Sequence, residues 1–247
     1  MRHKFTNNFS EVNVYKKQSK NSEIVSQIIY GQSFVILKKT KKWLKIRVWD
    51  DGYKGFVSNK KYSKEIKPTH KISTLKANVY KEANKKIKIG QLTFGSRIKA
   101  KLKKNGFVKF NKKWIEAKNL KPNDFEEKNI FQNLNIFKGV KYKWGGKSFK
   151  GIDCSGLVQI FFNYSNKFCP RDAKDQIKYF KKKVKFKKLK QYDLLFWKAH
   201  VAIILSKKKL IHAYGPKKKT VVMNISNTIK LIEKTANLKL LSINRIN

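Results

Sequence analysis

The sequence predicts an α+β domain over residues 123–247, preceded by two small all-β barrels at residues 1–66 and 70–121. Three observations predict this layout. A strand-and-turn pattern occurs twice in the N-terminal half; a glycine-rich approach leads into a helix-periodic segment at Cys154; and an alternating strand pattern downstream carries two histidines. A chain of 247 residues is long for one compact domain and suits two or three small ones, and a hydrophobic content of 40% is enough to pack their cores.

The repeat aligns segment by segment. NVYK at Asn13–Lys16 recurs at Asn78–Lys81, YGQSFVIL from Tyr30 matches FGSRIKA from Phe94, and WLKIR from Trp43 matches FVKF from Phe107. GFVSNKKY from Gly55 matches KWIEAKNL from Lys113, and the first copy has an extra turn at Asp50-Asp51-Gly52. Short alternating strands between turn residues are the pattern of a small barrel. Lys67–Lys71, with Pro68, reads as the link between the copies, and Lys121–Asp124, with Pro122, as the link to the third domain.

That domain is expected to open with a helix from Asp124 to Phe137, with Asp124 as its N-cap and Glu126 and Glu127 in the first turn. A second helix starts at Cys154, where Leu157, Ile160, Phe161 and Tyr164 recur at helical spacing. A strand-forming block follows from Val184, and Asn224–Leu231 is read as a final helix. Helix first and antiparallel sheet afterwards make the architecture α+β.

The chemistry centres on Cys154. A thiol in the first turn of a helix sits at the positive end of the helix dipole, so its pKa is expected to fall towards the reactive thiolate. A nucleophile needs a base. His3 and His70 lie in lysine-rich surroundings, whereas His200 and His212 bracket a hairpin: VAIIL after His200, a turn at Ser206–Lys209, and LIHAY returning. Their even separation puts both imidazoles on one face of the pair, where one takes the thiol proton and the other orients it. Two buried histidines satisfied by backbone are the bland alternative.

At this point the sequence resembles the NlpC-type bacterial cell-wall cysteine peptidases, which have a papain-like fold. The resemblance rests on Tyr142, Trp144, Gly145 and Gly146; on Asp153–Leu157; on Pro170–Ala173 with Gln176; on Asp193–Trp197; and on His200–Ile203 and Ile211–Ala213. Where the family has Gly-Asp before its Leu-Phe strand, this chain has Tyr192-Asp193, a change that affects the local turn and not the triad. The N-terminal copies resemble bacterial SH3-like domains. The resemblance implies Cys154 as nucleophile, His200 as base and His212 as the orienting third residue. Tyr142 is the implied second oxyanion donor beside the Cys154 N–H, with a packed aromatic as its alternative. Family members with paired SH3-like domains typically cleave after γ-D-glutamate in cell-wall peptides, which implies that Asp153, Ser155, Arg171, Asp172 and Trp144 shape the substrate pocket. For Arg171 a buried ion pair is the alternative. In related enzymes the first SH3-like domain borders the cleft, so Asp50 and Asp51 are the expected partners of a free substrate amine, with an ordinary Asp-Gly turn as the alternative.

The formal charge of +45 comes almost wholly from lysine, since arginine stands only at Arg2, Arg47, Arg97, Arg171 and Arg245. Lysine with abundant asparagine and isoleucine is what AT-rich codon usage produces, and a specific nucleic-acid reader leans more on arginine. Non-specific attraction to anionic polymers follows at low salt. No apolar signal core follows the basic start and no apolar run is long enough for a membrane span, so the expected location is cytoplasmic, or the cell envelope by an unrecognised export route. Cys169 reads as a packed residue near the cleft. No Cys/His grouping has zinc spacing and no glycine-rich nucleotide loop occurs, so neither metal nor cofactor is expected. Two rival readings are a catalytically idle binding protein for wall or polyanion and a Cys–His amidase or acyltransferase on the same fold. The intact Cys154, His200 and His212 argue against the first, and the Asp-Cys-Ser-Gly core against the second.

Overall fold

Alternating apolar residues dictate the first half of the chain. In the computed structural model, which describes residues 3–246, Val14, Ile28, Phe34, Leu44, Ile46 and Val57 point into one core. Ile72, Val79, Ile98, Val108, Phe110 and Ile115 point into a second. The strands of the first barrel are β1 (Lys4–Thr6), β2 (Glu11–Tyr15), β3 (Ile24–Ile29), β4 (Ser33–Lys39), β5 (Trp43–Val48), β6 (Lys54–Ser58) and β7 (Ser63–Lys64). The second has β8 (His70–Ile72), β9 (Lys76–Tyr80), β10 (Lys88–Thr93), β11 (Arg97–Ile98), β12 (Leu102–Lys104), β13 (Phe107–Phe110), β14 (Lys113–Glu116) and β15 (Leu120–Pro122).

The first order, β3-β2-β6-β5-β4-β1-β7, reappears in the second barrel as β10-β9-β14-β13-β12 and β11-β8-β15. The strand that is continuous as β4 is broken there into β11 and β12. The copies also share a side-chain contact: Gln27 Nε2 donates to Asn13 Oδ1, and Gln91 Nε2 to Asn78 Oδ1, both at 2.9 Å. The expected links are shorter than read. His70 and Lys71 belong to β8, and Lys121 and Pro122 to β15, which pairs with it. These first and last strands close the barrel, and their lysines disguise them as linker.

The remainder contains β16 (Lys147–Ser148), β17 (Gly151–Ile152), α1 (Cys154–Tyr164), α2 (Ala173–Tyr179), β18 (Lys182–Lys183), β19 (Leu194–Trp197), β20 (His200–Ile204), β21 (Lys209–Tyr214), β22 (Lys219–Asn224), α3 (Ile225–Ala236) and β23 (Ser242–Arg245). Six strands form an antiparallel sheet in the order β18-β23-β19-β20-β21-β22. Leu157, Val158, Ile160 and Phe161 of α1 share a core with Phe196, Val201, Ile203 and Ile211 of the sheet. Ile225 and Ile232 of α3 pack with Leu195, Ala202, Ile204 and Leu210, which alternate with that set and so face the other way.

The helix expected over Asp124–Phe137 does not form. The segment is turns with one 3-10 turn at Leu134–Phe137. Its buried residues, Phe131, Leu134 and Phe137, recur every third position, a tighter period than the α-helix needs. Asn133 donates to Glu127 Oε1 at 2.8 Å, a side-chain bond that ties the turns of this segment together. The final helix runs on to Ala236, and α2 and β23 were not foreseen. Tyr192 takes a left-handed φ of 71°, the conformation that favours the glycine it replaces. Its ring packs edge-on against Phe131 at 5.8 Å, and the neighbouring Asp193 carboxylate is held by Arg245 at 2.8 Å.

The barrels are fused to this domain. Gly31, with a φ of +82°, lets the barrels touch, since a Cβ there would sit 2.0 Å from the Arg97 carbonyl oxygen. Ile29 and Phe94 enter the same core as α1, and the Phe94 ring stacks on Tyr164 at 4.4 Å. Lys71 Nζ donates to the carbonyls of Phe125 and Tyr164, and the Arg97 guanidinium donates to the Asn163 carbonyl at 2.8 Å. Two cations from the second barrel thus sit at the C-terminal, negative end of α1. No helix among the described residues is long and apolar enough to cross a membrane.

Candidate active site

The opening of α1 is built around Asp153. Its backbone is extended, and its Oδ1 caps the helix by accepting from the Gly156 N–H at 2.7 Å. Oδ2 accepts from the Gly145 N–H at 2.8 Å. Gly145 has a φ of +73°, and a Cβ there would lie 2.4 Å from the Ile24 carbonyl oxygen of the first barrel, so only glycine permits this approach. Both Asp153 oxygens also receive Arg171, at 3.0 and 2.6 Å. Arg171 donates further to Ser155 Oγ at 2.9 Å and to Ser26 Oγ of the first barrel at 3.1 Å. Only 3% exposed, Arg171 is therefore a structural ion pair that forms the cavity wall from behind, and Asp153 and Ser155 are committed to it.

Cys154 is the first residue of α1, so its own N–H has no partner within the helix. Its Sγ lies 4.0 Å from the carbonyl oxygen of Ala199. Ala199 occupies the two-residue turn between β19 and β20 with a left-handed φ of 59°, and this turn delivers His200 at the start of its strand. His200 Nε2 lies 2.9 Å from His212 Nδ1. His212 is fully buried, and the Tyr214 ring stacks on it at 4.6 Å with 10° between planes. The Trp197 ring lies 5.6 Å from His200.

The electrostatics differ from expectation. Burial, reinforced by the Asp153 carboxylate, pushes the Cys154 thiol up to about 12, against the backbone N–H groups of Val201 and Ser155. Burial also holds His200 down, to about 4, and His212 lower still. Desolvation here outweighs the helix terminus, whose strongest cap position is already taken by a carboxylate. These shifts favour the uncharged thiol and the uncharged imidazoles at neutral pH.

A cavity of about 410 Å³ opens over the sulfur. One wall carries Trp144, Asp172 and Ala199, and the other carries Glu23, Val25 and Tyr53 of the first barrel. Trp144, 53% exposed, donates from Nε1 to Glu23 Oε1 at 2.9 Å. The Tyr53 hydroxyl donates to Asp172 Oδ2 at 3.3 Å. Tyr142 is half-buried. Burial raises its hydroxyl pKa, and the nearby Cys154 and Asp153 add to this, so it remains a proton donor.

Asp50 and Asp51 do not line the cavity. Asp50 pairs with Arg97 at 3.1 Å and accepts from Gln32 at 2.9 Å. Asp51 accepts from the Tyr53 N–H and from Gln159 Nε2, each at 2.9 Å. Interior donors on the neighbouring domains claim both carboxylates. Cys169 is a fully buried free thiol beside Gln176. Glu23, Tyr53, Tyr214 and Met223, whose Sδ lies 3.4 Å from His212 Nε2, went unnoticed in the sequence. Strand alternation from His212 could have flagged Tyr214, while nothing local marks the others.

Residues 139–235 match the NlpC/P60 family, and residues 10–63 match the bacterial SH3 domain. The chain is 28% identical over 235 residues to a gamma-D-glutamyl-L-lysine dipeptidyl-peptidase of Bacillus subtilis (strain 168), covering 83% of this chain and 77% of that protein. It is 26% identical over 229 residues to dipeptidyl-peptidase 6 of Lysinibacillus sphaericus, covering 81% and 84%. A crystal structure of an NlpC/P60 family protein from Bacillus cereus ATCC 10987 superposes with a TM-score of 0.83 at 17% identity, covering 98% of this chain and 99% of the other, a likeness of fold. Small β-barrels, a papain-like α+β half and these matches together identify residues 139–235 as an NlpC/P60 domain, of the cysteine peptidase kind, behind a bacterial SH3 domain at residues 10–63.

Proposed function

We propose that this peptidase hydrolyses the bond between γ-D-glutamate and the following diamino acid in peptidoglycan stem peptides, and that it prefers short fragments with a free amino end, as wall-peptide turnover would supply. The observation that carries this reading is that Glu23, Val25 and Tyr53 of the first barrel line the cavity over Cys154; in this reading that wall limits the substrate to a short segment on its side. The names of the two relatives, both dipeptidyl-peptidases, agree with it.

In this reading Cys154 Sγ attacks the amide carbonyl carbon while His200, whose Nε2 is engaged by His212, receives the thiol proton on Nδ1. The oxyanion is met by the free Cys154 N–H and the Tyr142 hydroxyl. His200 then passes its proton to the departing amine, leaving a thioester. Water, giving a proton to the same imidazole, attacks the thioester carbon, and the proton returns to sulfur as the carboxylate product leaves. Asp172 is the carboxylate available to a substrate ammonium. Asp153 is spent on Arg171, and Glu23 on Lys16 at 3.1 Å and Trp144. Burial holds the Asp172 pKa above its ordinary value, a cost that an arriving cation relieves.

The test compares L-Ala-γ-D-Glu-diamino acid with its N-acetylated twin. The wild type is expected to prefer the free peptide by about tenfold or more, the scale of one charge-assisted hydrogen bond. Asp172→Asn should lose most of that ratio, while Asp50→Asn/Asp51→Asn keeps it. Equal rates on both peptides for the wild type would remove the amine preference.

A further inference from the structure

We propose that Met223 is a positioning residue whose thioether fixes the tautomers of both imidazoles, so that His200 presents a bare Nδ1 to the thiol. This rests on the reading of Cys154, His200 and His212 as the catalytic set. An Asn or Asp in the third position settles the tautomer of a base by itself, because its carbonyl or carboxylate oxygen can only accept. A histidine cannot, since either nitrogen of a neutral ring can carry the proton. The His200–His212 pair therefore has two self-consistent arrangements, and something outside it must choose.

In one arrangement His212 carries its proton on Nε2. Its Nδ1 then accepts from His200 Nε2–H across the 2.9 Å contact, and His200 Nδ1 is left with a lone pair. In the other, His212 donates from Nδ1, His200 Nε2 accepts, and the remaining proton sits on His200 Nδ1, where the ring cannot act as a base. The choice falls at His212 Nε2. Its neighbour is Met223 Sδ at 3.4 Å, and a thioether offers only lone pairs. The first arrangement gives an N–H···S hydrogen bond there. The second sets a nitrogen lone pair against a sulfur lone pair. His212 is fully buried, so bulk water does not replace the sulfur.

The fold places Met223 for this role. On the hairpin of β21 and β22, Val221 stands opposite His212 and Met223 opposite Leu210, so Met223 is the diagonal neighbour of His212 on the same face. Tyr214, the other close neighbour, stacks on the ring face and fixes its plane without meeting an in-plane nitrogen.

The experiment uses Met223→Leu, close in volume with no acceptor, and Met223→Gln, which restores an acceptor oxygen. Steady-state kinetics on the tripeptide are paired with 15N spectra of histidine-labelled protein in a Cys154→Ala background, which report ring tautomers without turnover. The wild type should show both rings protonated at Nε2. Met223→Leu should lower kcat about tenfold with KM unchanged and give mixed tautomers, while Met223→Gln recovers most of kcat and the wild-type pattern. A wild-type His212 protonated at Nδ1 overturns the proposal, and so does a Met223→Leu protein with wild-type tautomers, whether its kcat falls or not. Full activity of Cys154→Ala would instead overturn the catalytic reading beneath it.

Discussion

Replacing Arg171 by methionine separates two roles that the sequence leaves open. In the structure the guanidinium makes two bonds to Asp153, one to Ser155 and one to Ser26, and it is 3% exposed beside a carboxylate that is 6% exposed. Methionine fills the stem volume but strands the Asp153 charge, with the Gly145 and Gly156 N–H groups and the Ser155 hydroxyl as its remaining donors. Breaking a buried pair from one side costs about 3–5 kcal/mol. At about 2–4 °C per kcal/mol for a chain of this size, the melting temperature should fall by roughly 6–20 °C. Asp153→Asn keeps an oxygen for the helix cap while removing the charge, so the double variant should melt above Arg171→Met alone, a coupling of at least about 1 kcal/mol. Thermal unfolding by circular dichroism reads this directly, and KM is measured alongside. An Arg171→Met protein that melts within about 2 °C of wild type and shows a raised KM would refute the argument, because the guanidinium would then be serving substrate.

Two further outcomes follow from the same site. Cys154→Ala should abolish turnover in a folded protein, whereas Cys169→Ser should keep most of it, since Cys169 is a packed thiol off the cavity; purified variants assayed on the tripeptide check both. With His200 held down to about 4, the base is unprotonated above that pH, so kcat/KM should be present at neutral pH and lost as pH falls through about 4. With the thiol near 12, no alkaline loss is expected through pH 9; a bell-shaped profile declining above neutrality would point to a thiolate–imidazolium resting pair instead.

What the sequence made legible was local. The bounds of α1 could be read because the cap, the glycines before it and the apolar spacing all lie within a few residues of Cys154. The hairpin that joins His200 to His212 was legible for the same reason. The Asp124–Phe137 helix failed because a plausible cap and two acids cannot reveal that Phe131, Leu134 and Phe137 are pulled onto α1 from outside. The thiol pKa rises where the sequence leads one to expect a fall, because a helix terminus is visible in a sequence and desolvation is not. Asp50 and Asp51 were placed in the right domain and on the wrong side of it, since their partners, Arg97 and Gln159, are far along the chain. Tyr192 shows the reverse. A local rule asks for glycine, and distant packing on Phe131 accompanies the departure.

The grip of Lys71 and Arg97 on the last carbonyls of α1 has a consequence for how this protein can be rearranged. The helix that offers Cys154 at one end is finished at the other by residues that leave the ribosome more than fifty positions earlier. Cut away from the barrels, residues 123–247 would lose Phe94 from against Phe161 and Tyr164 and would bare the carbonyls of Asn163 and Tyr164. The catalytic half is therefore not a cassette that recombination or cloning can lift out intact. A shortened chain should misfold or be digested before its chemistry could be assayed.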